Sequence, residues 1–119
     1  MAILIPGIDV KKGLELYDGD EDIFLIVLRS FASNTPAVLD KMREVTDATL
    51  SDYAVAVHGV KGSSAAVGAE EVRKNALKLE ELAKAGDLAG VQARNEAFLK
   101  LTDDLIFGIR NWLDQFDPG

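Results

Sequence analysis

The 119-residue chain contains no cysteine, a single histidine and only three prolines. Without cysteine it forms neither a disulfide nor a thiolate metal site, and it suits a reducing compartment. The prolines, Pro6, Pro36 and Pro118, leave long stretches free to form helices. Because 48% of the residues are hydrophobic, the chain can bury a core. We therefore expect one domain over residues 1–119, with its core at about 9–116.

Positive charge and long apolar runs are also scarce. Thirteen lysines and arginines against 20 acidic residues give a net charge of −7, which argues against nucleic acid or an anionic membrane as a partner. The opening "MAILIPGI" is interrupted by Pro6 and Gly7, is too short to span a bilayer and lacks a basic n-region, so we expect it to be neither a membrane anchor nor a signal peptide. We expect a cytoplasmic chain without direct membrane contact, either standing alone or excised from a larger protein.

Apolar residues recur at steps of three and four along two long segments, which is typical of amphipathic helices. One stripe is Phe24, Leu28, Phe31, Thr35, Val38, Met42 and Val45, and the other is Leu88, Val91, Asn95, Phe98, Thr102, Leu105, Ile109, Trp112 and Phe116. Pro36 interrupts the first stripe, and we expect it to kink or split that helix.

Capping residues mark the ends of further helices. Asp9 precedes a short helix, and Thr49 with Asp52 resembles a capping box before a helix over about 50–67. We expect Gly86 to terminate the fourth helix and Asp87 to cap the last one. The sequence thus predicts an all-α fold, an antiparallel four-helix bundle with a short additional N-terminal helix as a lid.

The only histidine, His58, lies in the third helix, within "AVAVHGVKGSSAAVGAEE". At 100° per residue one side of this helix carries Tyr53, Val57, Val60, Ser64 and Val67, which we predict to face the core. The side with His58 carries Ala54, Val55, Lys61, Gly62 and Ala65. This second side is small and smooth, apart from one imidazole and one ammonium group.

Two glycines, Gly59 and Gly62, follow the histidine within one turn. Each costs a helix about 1 kcal/mol relative to alanine. Either they let another molecule approach the imidazole, or they let neighbouring helices pack tightly. For Gly62 we favour close approach by another molecule, whereas for Gly59 both interpretations remain open.

A lone histidine on such a surface limits the possible chemistry. A metal site needs several ligands, and Val55 stands where a Glu-x-x-His pair would need glutamate. A hydrolase triad is disfavoured because the exposed face offers no carboxylate at helical spacing to orient the ring. The remaining interpretations are a histidine nucleophile that attacks phosphorus, with Lys61 offsetting the charge, or a surface histidine without a role.

The segment "HGVKGSSAAVG" closely resembles the signature of histidine-containing phosphotransfer (HPt) domains, His-x-(Leu/Val)-Lys-Gly-Ser-(Ser/Ala)-x-x-x-Gly. The opening "IPGIDVKKGLELYDGDEDIFLIVLRSF" is similar to the N-terminal part of such domains, especially those at the ends of hybrid sensor kinases. Gly59 departs from the pattern, because many members carry threonine there.

The resemblance implies that His58 accepts a phosphoryl group from the aspartyl phosphate of one receiver domain and passes it to another. Lys61 would support the charge, and Gly62 would leave room for the phosphoryl group. The partners would be receiver domains and a cognate hybrid histidine kinase. The domain would be no enzyme by itself and would have no cofactor or metal of its own, with Mg²⁺ held by the partner receiver. The docking surface is predicted to be apolar, around Ala54, Val55 and Ala65, with Ile23 or Leu16 from neighbouring helices.

Two alternatives stay open. The chain could be the phosphoacceptor domain of a chemotaxis-type histidine kinase, which receives phosphate from an ATP-binding domain. It could also be a helical interaction domain that has lost phosphotransfer. The opening "IPGIDV" favours the relay type, and the intact set of His58, Lys61 and Gly62 argues against the interaction domain.

Overall fold

The computed structural model describes residues 3–116, and within that range it contains five helices and no strand. The helices are α1 (Val10–Glu15), α2 (Glu21–Met42), α3 (Leu50–Ala66), α4 (Glu70–Lys84) and α5 (Leu88–Phe116). The four long helices α2–α5 contact one another around a shared core, and α1 packs against α2. The predicted all-α bundle with a short leading helix is therefore confirmed. Residues 1–2 and 117–119 of the predicted domain, including Pro118, lie outside the described residues.

The helix ends predicted at Asp9, Gly86 and Asp87 have the expected geometry, and the structure adds a cap at Asp20. The carboxylates of Asp9, Asp20 and Asp87 each accept a hydrogen bond from the backbone N–H three residues later, at 2.8–3.2 Å. Gly86 ends α4 with φ of 74°, a left-handed conformation that glycine adopts without strain. These caps satisfy backbone groups that would otherwise lack partners at the helix ends.

The capping box predicted for α3 is wrong. Thr49 is the N-cap residue, but its side chain makes no capping bond to Asp52 or to any other first-turn N–H group. Instead its hydroxyl accepts a hydrogen bond from the backbone N–H of Thr46 at 2.9 Å. The threonine therefore stabilises the preceding turn rather than the helix end.

Pro36 does not split α2, which runs unbroken from Glu21 to Met42. A proline inside a helix has no N–H, so the carbonyl four residues earlier loses its helical partner. That carbonyl belongs to Ala32, and the guanidinium of Arg110 on α5 donates to it at 2.9 Å. The bundle thus supplies from another helix the hydrogen bond that the proline removes.

The five core residues predicted for the third helix are all buried, although Val67 lies one residue past the end of α3. The core also contains most residues of the predicted stripes. Phe116 is an exception: it is 42% exposed and stacks on the half-buried Trp112, because it is the last residue of α5. Leu39, Leu99 and Ile106 are buried although they lie beside the stripes. The apolar face of each long helix is therefore wider than one line of residues.

Among the described residues, α2 is the one helix long and apolar enough to cross a membrane by length and composition. The core helix of a soluble protein meets the same test. In this bundle Phe24, Leu28 and Phe31 of α2 are fully or almost fully buried against the other helices. Burial of these side chains accounts for part of the apolar composition of α2.

Candidate functional site

The imidazole of His58 lies in the middle of α3, and its side chain is 65% exposed. On the same face Val55 and Gly62 are exposed, whereas Ala54, Lys61 and Ala65 are half-buried. Leu16 at the end of α1 and Ile23 on α2 are also exposed apolar side chains. The predicted side of α3 is therefore accessible at His58, Val55 and Gly62 and partly covered at Ala54, Lys61 and Ala65.

A carboxylate that was not predicted from the sequence lies beside the imidazole. Glu80 of α4 places Oε2 2.5 Å from Nδ1 of His58 and Oε1 2.5 Å from Nζ of Lys61. The Glu80 side chain is only 3% exposed, so both interactions lie at the base of the surface. Lys84, one turn later on α4, places its ammonium group 3.3 Å from Oε2.

Helical spacing within α3 offers no carboxylate to orient the ring, as expected. The carboxylate that does so, Glu80, comes from the neighbouring helix, 22 residues further along the chain. One signal in the sequence pointed to it. Val72, Ala76 and Ala83 form the buried stripe of α4, and Glu80 occupies a position of that stripe. A charged residue among core positions needs a partner, because burial of an unpaired charge is costly.

Glu80 is ionised in this environment. The hydrogen bond from Lys61 is the largest cause, and bonds from His58 and Lys84 add to it. Together they outweigh the effect of burial and lower the pKa of Glu80 from 4.5 to about 2. An ionised carboxylate only accepts hydrogen bonds, so in the neutral imidazole the hydrogen lies on Nδ1. Nε2 is then the nitrogen with a free lone pair.

Neither glycine near the histidine is required for packing inside the bundle. A Cβ atom built on Gly59 or on Gly62 meets no atom within 4 Å. Tight helix packing, the second interpretation of these glycines, is therefore wrong. Gly62 opens the surface one turn after His58, whereas Gly59 faces a groove of about 340 Å³ between α2 and α3.

Within residues 3–116, no group of three or more histidine, cysteine or acidic side chains is placed to hold a metal ion. The site of His58 and Glu80 offers one nitrogen and one carboxylate, and two ammonium groups lie against that carboxylate. This arrangement presents Nε2 of His58 as a nucleophilic nitrogen, with the positive charges of Lys61 and Lys84 nearby.

The fold and the site define a helical bundle that presents one oriented histidine on an open surface. The family model of the Hpt domain matches residues 26–117, which is more than half of the chain, and the protein belongs to this family. A comparison with curated proteins gave no match, and neither did a comparison with solved structures. The match covers α3 to α5 and most of α2, whereas α1 precedes it.

Membership of the family confirms the resemblance predicted from "HGVKGSSAAVG". Hpt domains carry phosphoryl groups on histidine in phosphorelay signalling and are not catalytic enzymes. They interact with receiver domains and kinases.

Proposed function

We propose that this protein is a phosphorelay intermediate in two-component signal transduction. His58 accepts a phosphoryl group from an aspartyl-phosphate receiver domain and passes it to another receiver. The observation that carries the proposal is the exposed imidazole held through Nδ1 by the buried carboxylate of Glu80. Such a ring is fixed in position and keeps one nitrogen free for attack.

The transfer proceeds through Nε2. Its lone pair attacks phosphorus and forms an N–P bond, while the P–O bond to the aspartyl group of the receiver breaks. The bonding electrons leave with the aspartate carboxylate, so the step needs no proton and no further reactant. The phosphorylated ring keeps its hydrogen on Nδ1 and becomes positively charged. Ionised Glu80 accepts that hydrogen bond and stabilises the charge.

The surroundings of His58 suit a reaction whose other half is supplied by a partner protein. Lys61 adds positive charge beside the ring, and Gly62 leaves space for the phosphoryl group and the partner's backbone. The domain brings no cofactor of its own, and Mg²⁺ is expected in the receiver.

The docking surface consists of the apolar residues Ala54, Val55 and Ala65 on the His58 side of α3. Leu16 at the end of α1 and Ile23 on α2 are further candidates for it. Val55 is 73% exposed and Leu16 58%, so apolar side chains are available there for another protein to cover. The partners are receiver domains and a cognate hybrid histidine kinase. The location is the cytoplasm, either as a free domain or as the cytoplasmic domain of a membrane sensor kinase.

Phosphoryl transfer from a radiolabelled receiver tests the proposal. We expect label to move from a phosphorylated receiver domain to the wild-type protein, and the labelled product to be stable to alkali and labile to acid. His58→Gln should take up no label, with an unchanged helical circular dichroism spectrum as the control for folding. Equal labelling of His58→Gln would disprove the proposal. Labelling by an ATP-binding kinase domain but by no receiver would instead indicate the chemotaxis-type acceptor.

A further inference from the structure

Two lysines lie against the carboxylate of Glu80, and they differ in how firmly they are held. Lys61 is 27% exposed, and its ammonium group lies 2.5 Å from Oε1. Lys84 is 66% exposed, and its ammonium group lies 3.3 Å from Oε2. Both are beside the imidazole, but only Lys84 is a largely solvated side chain at the edge of the site.

Displacing Lys61 from Glu80 would be costly. Among the described residues Lys61 is the one hydrogen-bond donor that the structure gives to Oε1, and that oxygen belongs to a side chain only 3% exposed. If Lys61 turned towards a phosphoryl group, a buried carboxylate oxygen would lose its donor. Lys61 is also the largest cause of the lowered pKa of Glu80. The ammonium group of Lys61 is therefore held in position by Glu80.

Displacing Lys84 from Glu80 costs little. Oε2 keeps the hydrogen bond from Nδ1 of His58 when Lys84 leaves. Because the Lys84 side chain is 66% exposed, its ammonium group is hydrated again as soon as it leaves Oε2. The long side chain of Lys84 can therefore move to a stronger anion when one arrives beside the ring.

A phosphoryl group on Nε2 of His58 would be such an anion, since phosphorylated side chains carry about −1.5 to −2 charges at neutral pH. The ammonium group of Lys84 and Nδ1 of His58 lie on the same carboxylate oxygen, at 3.3 Å and 2.5 Å. A change of side-chain rotamer brings Lys84 from that oxygen to the outer edge of the imidazole.

We infer that Lys84 is the residue that binds the phosphoryl group on His58, while Lys61 holds the Glu80 carboxylate, and through it the imidazole, in place. This division of roles rests on the proposed function, and it differs from the motif-based expectation that Lys61 alone supports the charge. Lys84 lies outside the segment "HGVKGSSAAVG" and belongs to another helix.

The inference is testable without a receiver, by phosphorylating the full chain with phosphoramidate. We compare the wild type with Lys84→Gln and with Lys78→Gln, a matched control in which an exposed lysine of the same helix loses the same charge. We expect Lys84→Gln to slow the formation of phosphohistidine by about threefold to tenfold and Lys78→Gln to leave the rate unchanged.

Nitrogen NMR adds a readout that a merely structural role would not change. On phosphorylation of the wild type, the side-chain amine signal of Lys84 should shift more than that of Lys61. The imidazole nitrogen signals of the unphosphorylated protein should be altered by Lys61→Gln and retained in Lys84→Gln, because only Lys61 anchors Glu80 through Oε1.

Equal rates for Lys84→Gln and Lys78→Gln, or a shift of the Lys61 signal in place of Lys84, would overturn the assignment. A wild type that phosphoramidate labels at His58 but receivers do not would refute the relay function and leave the role of Lys84 supported. A wild type that phosphoramidate does not label at His58 would overturn both.

Discussion

Glu80 is a charged residue at a core position of α4, and its partners explain why it is tolerated there. Lys61, Lys84 and His58 donate to its two oxygens. The negative charge of the buried carboxylate is therefore compensated, and both oxygens have hydrogen-bond partners. Such a group stabilises the fold only while it is ionised. The same residue that orients the proposed nucleophile therefore also links the stability of the bundle to pH.

We predict that Glu80→Gln lowers the free energy of unfolding by about 1–3 kcal/mol at pH 7, because charged hydrogen bonds to Lys61 and Lys84 are lost. The folded-state pKa of Glu80, about 2, lies below its ordinary value of 4.5. Ionised Glu80 thus contributes fully above about pH 4.5, and this contribution is lost as the pH falls towards 2. Urea unfolding should show an unchanged difference between the two proteins from pH 7 to about pH 4.5, and a smaller difference at about pH 3.

Glu81→Gln is the matched control, since it removes the same charge from an exposed neighbour on α4. It should change the free energy of unfolding by less than about 0.5 kcal/mol at either pH. A difference between wild type and Glu80→Gln that stays constant across this pH range would contradict the ion pairs described for Glu80.

The sequence was sufficient to predict the residues of the site that belong to one helix, because helical spacing alone places His58, Lys61 and Gly62 together. It was not sufficient for Glu80 or Lys84. Their distance from His58 depends on how α3 and α4 are rotated against each other, and one sequence carries only weak information on that rotation. The misplaced charge in the apolar stripe of α4 was the available signal.

At the scale of the helix, α2 shows how the bundle compensates for a local defect. Pro36 removes one backbone hydrogen bond from the middle of the helix, and Arg110 of α5 donates to the carbonyl of Ala32 that is left without it. The sequence predicted the defect but not its compensation, because Arg110 is 78 residues away along the chain. The same helix remains continuous as a result.

A double-mutant cycle tests this compensation. In the wild type, Arg110→Met should lower the free energy of unfolding by about 1 kcal/mol, because a side-chain hydrogen bond to the Ala32 carbonyl is lost. In the Pro36→Ala background the backbone N–H of residue 36 can bond that carbonyl, so the cost of Arg110→Met should fall to half or less. Urea denaturation of the wild type, the two single variants and the double variant gives the coupling free energy between Pro36 and Arg110. Equal costs in both backgrounds would show that Arg110 acts independently of the proline.

At the scale of the whole molecule, the segment before the family match is built into the bundle. The backbone N–H of Asp9 donates to the carbonyl of Gly68 at 2.8 Å, and the hydroxyl of Tyr17 donates to the carbonyl of Ala66 at 2.7 Å. A Cβ atom on Gly13 would lie 2.6 Å from the ring of Phe24. These contacts fix α1 on the end of α3, the helix that carries His58.

Two adjacent residues provide the sharpest test of this arrangement. Ile5 is 4% exposed and belongs to the core, whereas Leu4 is 78% exposed. Ile5→Ala should therefore lower the free energy of unfolding by about 2–4 kcal/mol, and Leu4→Ala should change it by less than about 0.5 kcal/mol. Both variants remove aliphatic carbon atoms from adjacent residues. A difference between them in urea denaturation therefore reports the burial of the side chain and not its place in the chain. If neither substitution changed the free energy of unfolding, the cooperative unit would begin nearer residue 26, where the family match begins. A large loss in Ile5→Ala alone would place the N-terminal segment inside the same cooperative unit as the histidine helix.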